Sequence, residues 1–219
     1  LDHLASGEAL LRGVKPEAVI VVDGRRIEVG GLKGQPNYAF LLPEWVEELT
    51  AAPDAMRFTG FTVGVPEERM SWKRVRPHAP DVVWPPKGVR LRMDYAMPED
   101  DASPQRGLRV SVHYELYDGI PLFSKWITAH NAGAASVTLE GFVSEMIAAV
   151  EYSSDVEDRG GAAQHLNIHV ETDYAFLAMS AMNAGRHAIR WLPDPDYETQ
   201  VNYVRLNPCL LEVGPDLGP

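Results

Sequence analysis

Apolar and polar residues alternate strictly along several stretches of this chain. Over 89–97, Val89, Leu91, Met93, Tyr95 and Met97 share one face, and Arg90, Arg92 and Asp94 the other. Over 108–116, Leu108, Val110, Val112, Tyr114 and Leu116 alternate with Arg109, Ser111, His113 and Glu115. Over 165–171, Leu166, Ile168 and Val170 alternate with His165, Asn167, His169 and Glu171. A period of two over such lengths predicts half-buried strands with one solvated face. Strands of that kind belong to antiparallel sheets, because parallel sheets are covered on both faces.

Shorter runs predict further strands at 18–22 and 26–29 around an Asp23-Gly24 hairpin signal, and at 58–63 and 70–75. Others follow at 122–129 after Asp118-Gly119, then at 137–141, 144–150, 176–179, 187–191, 201–204 and 209–213. Many short strands punctuated by turn residues predict an all-β antiparallel two-sheet sandwich. Helix signals are few. Pro43 and Glu44 open a short helix near 43–50 with Trp45, Val46 and Leu49 on its apolar side, and Pro53 limits it to about two turns. Residues 1–12 read as a linker or short helix, and 13–219 as a single β-sandwich domain. The chain opens on Leu1 rather than Met, so the expectation is a processed or excised segment of a longer protein.

Composition narrows the function classes. The 31 acidic and 20 basic residues of the 219 leave a net charge of −11, which argues against a nucleic-acid partner held by a general positive field. No run of 18 apolar residues occurs, so no membrane span is expected. Cys209 is the single cysteine; it excludes an intrachain disulfide framework and a cysteine-rich zinc site, and between Pro208 and Leu210 it reads as structural. Nucleophile elbows, phosphate-binding glycine loops and zinc-protease motifs are absent from the sequence. No cofactor is expected.

Three groups of residues carry candidate chemistry. His165, Asn167, His169 and Glu171 face one way along a predicted strand. His165 and His169 lie roughly 13 Å apart on such a strand, too far to share a zinc ion. A sugar-facing polar row or a plain hydrogen-bonded sheet face fits better, and no metal is assigned. Basic residues crowd into 69–92, where Arg69, Lys73, Arg74, Arg76, Lys87, Arg90 and Arg92 are interleaved with Trp72, His78 and Trp84. Arg74, Arg76, Arg90 and Arg92 are the candidates there for an anion site, such as one for an acidic sugar, or for an interface with an acidic partner. The alternative is a sheet face salt-bridged to its acidic neighbours. Third, Trp191, Asp194, Asp196 and Tyr197 lie in a proline-held extended segment. Its oxygens suit calcium, but the glycine turn of a calcium loop is missing. Its aromatic rings suit carbohydrate contact.

The segment RVSVHYELYDGIPLFSKWITAHNAGAASVTLEGFVSE, residues 109–145, runs from a strand ending in Tyr-Glu-Leu-Tyr-Asp-Gly into a second strand with Lys125 and Trp126. Asn131-Ala132-Gly133 and an apolar stretch around Val137 to Leu139 follow. It resembles the N-terminal β-supersandwich domain of family 36 alpha-galactosidases and related glycoside hydrolases, a galactose-mutarotase-like architecture. The resemblance implies a non-catalytic domain that supports a C-terminal catalytic barrel of the same parent, with sugar contact as a further role. It carries over no catalytic residue, because those carboxylates lie on the barrel. Mutarotases of the same architecture imply an alternative, a self-contained aldose mutarotase or epimerase with His78, His113, His130 and Glu145 as candidates. A protein-interaction module using the basic 69–92 stretch is a third reading. The expected location is extracellular or periplasmic.

Overall fold

The structure, a computed structural model, describes residues 11, 13–35, 41–69, 71, 83–148, 170–172, 189–194, 196 and 209–214. Its first hairpin joins β1 (Ala18–Val22) to β2 (Arg25–Val29). Asp23 (φ 49°) and Gly24 (φ 75°) supply the two positive φ values that a tight right-twisted turn needs. Two-residue strands β3 (Leu32–Lys33) and β4 (Thr50–Ala51) pair beside helix α1 (Pro43–Glu47). The helix is shorter than expected over 43–50. It has proline and acid in its first turn but buries no residue, and its chain turns at once into β4.

A four-stranded antiparallel meander follows: β5 (Arg57–Gly64), β6 (Gly88–Ala96), β7 (Leu108–Tyr117) and β8 (Ile120–Asn131), in that spatial order. β9 (Leu139–Val143) and β10 (Glu145–Ala148) form one run interrupted only at Ser144. The first half pairs with β1. The second half pairs with β12 (Cys209–Val213), which also pairs with β11 (Ile189–Pro193). Ser144 ties the two halves together, its backbone N–H and hydroxyl both reaching the Val213 carbonyl at 2.7 and 3.0 Å. Among the described residues the strands pair antiparallel throughout, with one isolated parallel bridge between Val29 and Met56, and the fold is all-β.

The core lies between the β2-β1-β9 sheet and the four-stranded sheet. Ala18, Ile20 and Val22 of β1 and Ile27 and Val29 of β2 meet Tyr95 of β6 and Leu108, Val110 and Val112 of β7, with Met56 and Met97 closing the cluster. Alternation places these side chains on one face of each strand, and their removal from water is the main stabilising contribution. The predicted strands at 176–179 and 201–204, and 165–169 of the third alternating stretch, lie outside the described residues, as do 1–10 and most of 70–75.

Candidate functional site: the outer face of the four-stranded sheet

β7 departs from the expected pattern halfway along. Its buried residues are Leu108, Val110 and Val112, and then His113, Glu115 and Tyr117. The inner-face positions expected to be covered include Leu116, which is exposed, whereas the outer-face polar residues His113 and Glu115 are 5% and 2% exposed. The uniformly solvated outer face expected for this strand is therefore corrected. The physical reason lies in neighbouring side chains that cover it.

Cross-strand register assembles that cover. Arg92, His113 and Trp126 stand in one row across β6, β7 and β8, and Arg90, Glu115 and Ser124 in the next. The His113 ring stacks on Trp126 with centroids 4.8 Å apart and planes 1° from parallel. Arg69, from the segment after β5, lays its guanidinium 3.9 Å from the Trp126 ring centroid, and that of Arg90 is 5.8 Å away. His113 Nε2 is 3.0 Å from Thr128 Oγ1. Tyr117 donates its hydroxyl to Glu115 Oε2 at 2.8 Å and lies 3.0 Å from Ser124 Oγ. The half-exposed Trp84 ring leans on Tyr117, centroids 6.4 Å apart.

Two buried polar atoms in this cluster have no hydrogen-bond partner among the described residues: His113 Nδ1 and Glu115 Oε1. Leaving a buried polar atom unmatched costs about 1–3 kcal/mol, and more when it is charged. Burial, followed by the nearby Arg90 and Arg92 charges, holds the His113 pKa below the usual imidazole range, so the ring is neutral at neutral pH.

The basic candidates divide accordingly. Arg90 pairs with Glu67 at 2.7 Å and Arg92 with Asp94 at 3.1 Å, while Asp94 also accepts a hydrogen bond from Ser111 at 2.6 Å. Their charges are therefore met locally. Arg74 and Arg76 lie outside the described residues, as do His165, Asn167, His169 and Tyr197. Glu171 is exposed, and only the backbone of Trp191 is described. Asp194 is buried and accepts from Lys15 Nζ at 3.0 Å, and exposed Asp196 takes the same ammonium at 3.0 Å. That pair fastens the segment after β11 to the chain before β1. Among the described residues, no group of three or more His, Cys, Asp or Glu is placed to hold a metal ion, and no helix is long and apolar enough to cross a membrane.

A second polar cluster lies on the inner face. Lys125 of β8 donates to the Glu17 carbonyl at 2.7 Å and to Glu145 Oε1 at 2.9 Å, and its ammonium sits 5.1 Å from the Tyr114 ring centroid. Tyr114 donates its hydroxyl to Glu17. Burial raises the Glu145 pKa above the ordinary carboxylate value, although the Lys125 charge opposes the shift. Burial and the adjacent Glu17 raise Tyr114 as well. With its charged groups bonded to one another, this cluster reads as a structural tie between β1, β8 and β10.

The outer-face site escaped the sequence reading because the side-chain period alone sent His113 and Glu115 to solvent. Two signals pointed to it: an aromatic residue, Trp126, in the neighbouring strand, and the unusual basic density at 69–92. Comparison with family models, with curated proteins and with solved structures finds no match to this chain.

Proposed function

We propose that this chain is a non-catalytic, galactose-mutarotase-like β-supersandwich domain of an alpha-galactosidase-like glycoside hydrolase, which supports a catalytic barrel. The observation that carries this reading is the uncovered half of the inner face of the four-stranded sheet. Phe61 and Val63 of β5, and Leu116 and Phe123 of β7 and β8, are between 48% and 64% exposed. They adjoin Val89 and Leu91 in register and share a face with the core residues Val110 and Val112. A contiguous apolar strip of that kind marks an interface rather than a solvated surface. The resemblance over 109–145 supports a barrel of the same parent as the occupant.

The test is hydrolysis of 4-nitrophenyl α-galactoside by the isolated chain. No turnover is expected. Nitrophenol release abolished by Glu115→Gln or Glu145→Gln would overturn the supporting role. The unpartnered atoms of His113 and Glu115 favour one second reading, an aldose mutarotase or epimerase, in which an imidazole and a carboxylate exchange protons with a sugar. Polarimetry on galactose and glucose tests it, and mutarotation no faster than in buffer dismisses it for those sugars.

A further inference from the structure

We propose that the outer face of β6, β7 and β8 is a binding site for a neutral hydroxylated ring, a monosaccharide unit, seated on Glu115 and His113 beside Arg69. The inference goes beyond the supporting role and holds whether or not a barrel packs on the inner face.

Charge decides the ligand class. Arg69, Arg90 and Arg92 stand over this face, which disfavours a cation. An anion is disfavoured in turn by the bare Oε1 of Glu115, and Arg90 and Arg92 are already paired with Glu67 and Asp94. What remains is a ligand that is uncharged and polar.

Hydrogen bonding specifies it further. Glu115 Oε1 is an acceptor that needs a donor, and Tyr117 holds its other oxygen in place. His113 Nδ1 donates or accepts according to how Thr128 engages Nε2. A hydroxyl both donates and accepts, so hydroxyls satisfy both atoms with either histidine tautomer.

The surroundings fit a ring. Trp84 offers a half-exposed indole beside Tyr117, an apolar wall of the kind that sugar rings cover. On the β5 side, Gly60 and Gly64 lie opposite Asp94 and Arg90, and a Cβ added at either meets nothing within 4 Å. The face is therefore low and open along that edge. Arg69 is exposed and sits on Trp126 without an ion-pair partner among the described residues. It can leave the indole and donate to ligand oxygens.

The experiment is a titration of the isotopically labelled chain with galactose, with glucose, and with tetrahydropyran as the ring without hydroxyls. The readout is the His113 ring nitrogens and the Trp126 indole N–H by NMR. At least one sugar is expected to shift both signals saturably, with a Kd on the order of millimolar, as suits a single ring. Tetrahydropyran should not. Glu115→Gln keeps the side-chain shape and is expected to weaken binding about tenfold. Arg69→Ala, at an exposed position, should weaken it severalfold, with the sugar-free spectrum changed chiefly at Trp126, on which Arg69 sits. Absence of a saturable shift up to about 100 mM sugar, far above such a Kd, would overturn the site. So would binding that neither substitution alters. Neither result bears on α-galactoside turnover, so failure here stays separable from failure of the supporting role.

Discussion

The imidazole of His113 lies flat against the indole of Trp126, 4.8 Å between centroids and 1° from parallel, because β7 and β8 pair these two residues directly. That stack is the centre of the outer face. It carries Arg69 and places the unpartnered Nδ1 on the same strand face as Glu115. Trp126→Ala removes the stacking partner and the cation–π platform together. Stability is expected to fall by about 2–3 kcal/mol, below a core tryptophan truncation because Trp126 is only half-buried. Trp126→Phe should keep roughly half of the loss from appearing. Urea midpoints check both, and an unchanged midpoint in Trp126→Ala would show that the stack contributes nothing.

His113 also sets a pH dependence. Its folded pKa lies below the ordinary value of 6.5, chiefly through burial and then through Arg90 and Arg92, with Asp94 opposing and Arg69 adding. Above 6.5 both folded and unfolded states hold a neutral ring and stability is independent of this group. As pH falls below 6.5 the unfolded chain takes up the proton first, so stability declines until the folded value is passed. The slope is at most about 1.4 kcal/mol per pH unit. Urea unfolding near pH 7.5 and pH 5.5 should show a larger loss in the native chain than in His113→Gln. Equal losses would contradict a buried neutral imidazole.

Glu145 works in the opposite sense. Its folded pKa is raised above 4.5 by burial, so just above 4.5 the folded state keeps a proton that the unfolded state has released. Stability therefore falls as pH rises through the folded value. Lys125, whose side chain is 6% exposed, is the counter-charge that limits this loss. Lys125→Met strands Glu17 and Glu145 and should cost about 3–5 kcal/mol at neutral pH. The deficit is expected to shrink at pH 4, below both the ordinary carboxylate value and the raised folded one, where Glu145 is already protonated. Equal deficits at the two pH values would mean that Glu145 carries no charge at neutral pH.

Gly30 follows β2 at φ 69°, and a Cβ there would come 2.7 Å from Tyr95 Cε1. Gly30→Ala therefore meets both an unfavourable backbone region and a buried ring. A loss of about 1–3 kcal/mol is expected from the two together, read from thermal unfolding. Tyr95 itself, with its pKa pushed up to about 12 by burial and by Glu17, should resist ionisation in an alkaline absorbance titration. Gly30→Ala as stable as the native chain would contradict the close packing of the β2 end on β6.

On the inner face, Phe61→Ser and Phe123→Ser remove side chains that the isolated chain leaves largely in water. Each is expected to change stability by no more than about 0.5 kcal/mol. A loss of several kcal/mol in either, measured by chemical denaturation, would mean that the strip is already covered.

Much of the fold was legible in the sequence because antiparallel strands with one buried face write a period of two. Ala18–Val22 and Cys209–Val213 form strands with the expected bounds, and the Asp23-Gly24 turn closes the first hairpin. The β3–β4 pair escaped because two-residue strands have no period to read. The helix at 43–47 is shorter because its chain turns at Glu48 and enters β4 at Thr50. The site was less legible. Its residues come from β6, β7, β8 and the segment after β5, and only cross-strand register brings Arg69, Arg90, His113, Glu115 and Trp126 together. Asp194 and Asp196 read as free oxygens until Lys15, far away in sequence, is placed between them.

The most direct measurement on the supporting role is the nucleotide sequence downstream of the Pro219 codon. If this chain is the sandwich of an alpha-galactosidase-like hydrolase, the reading frame continues into alternating strand and helix patterns long enough for a (β/α) barrel. A stop codon directly after Pro219 would contradict it.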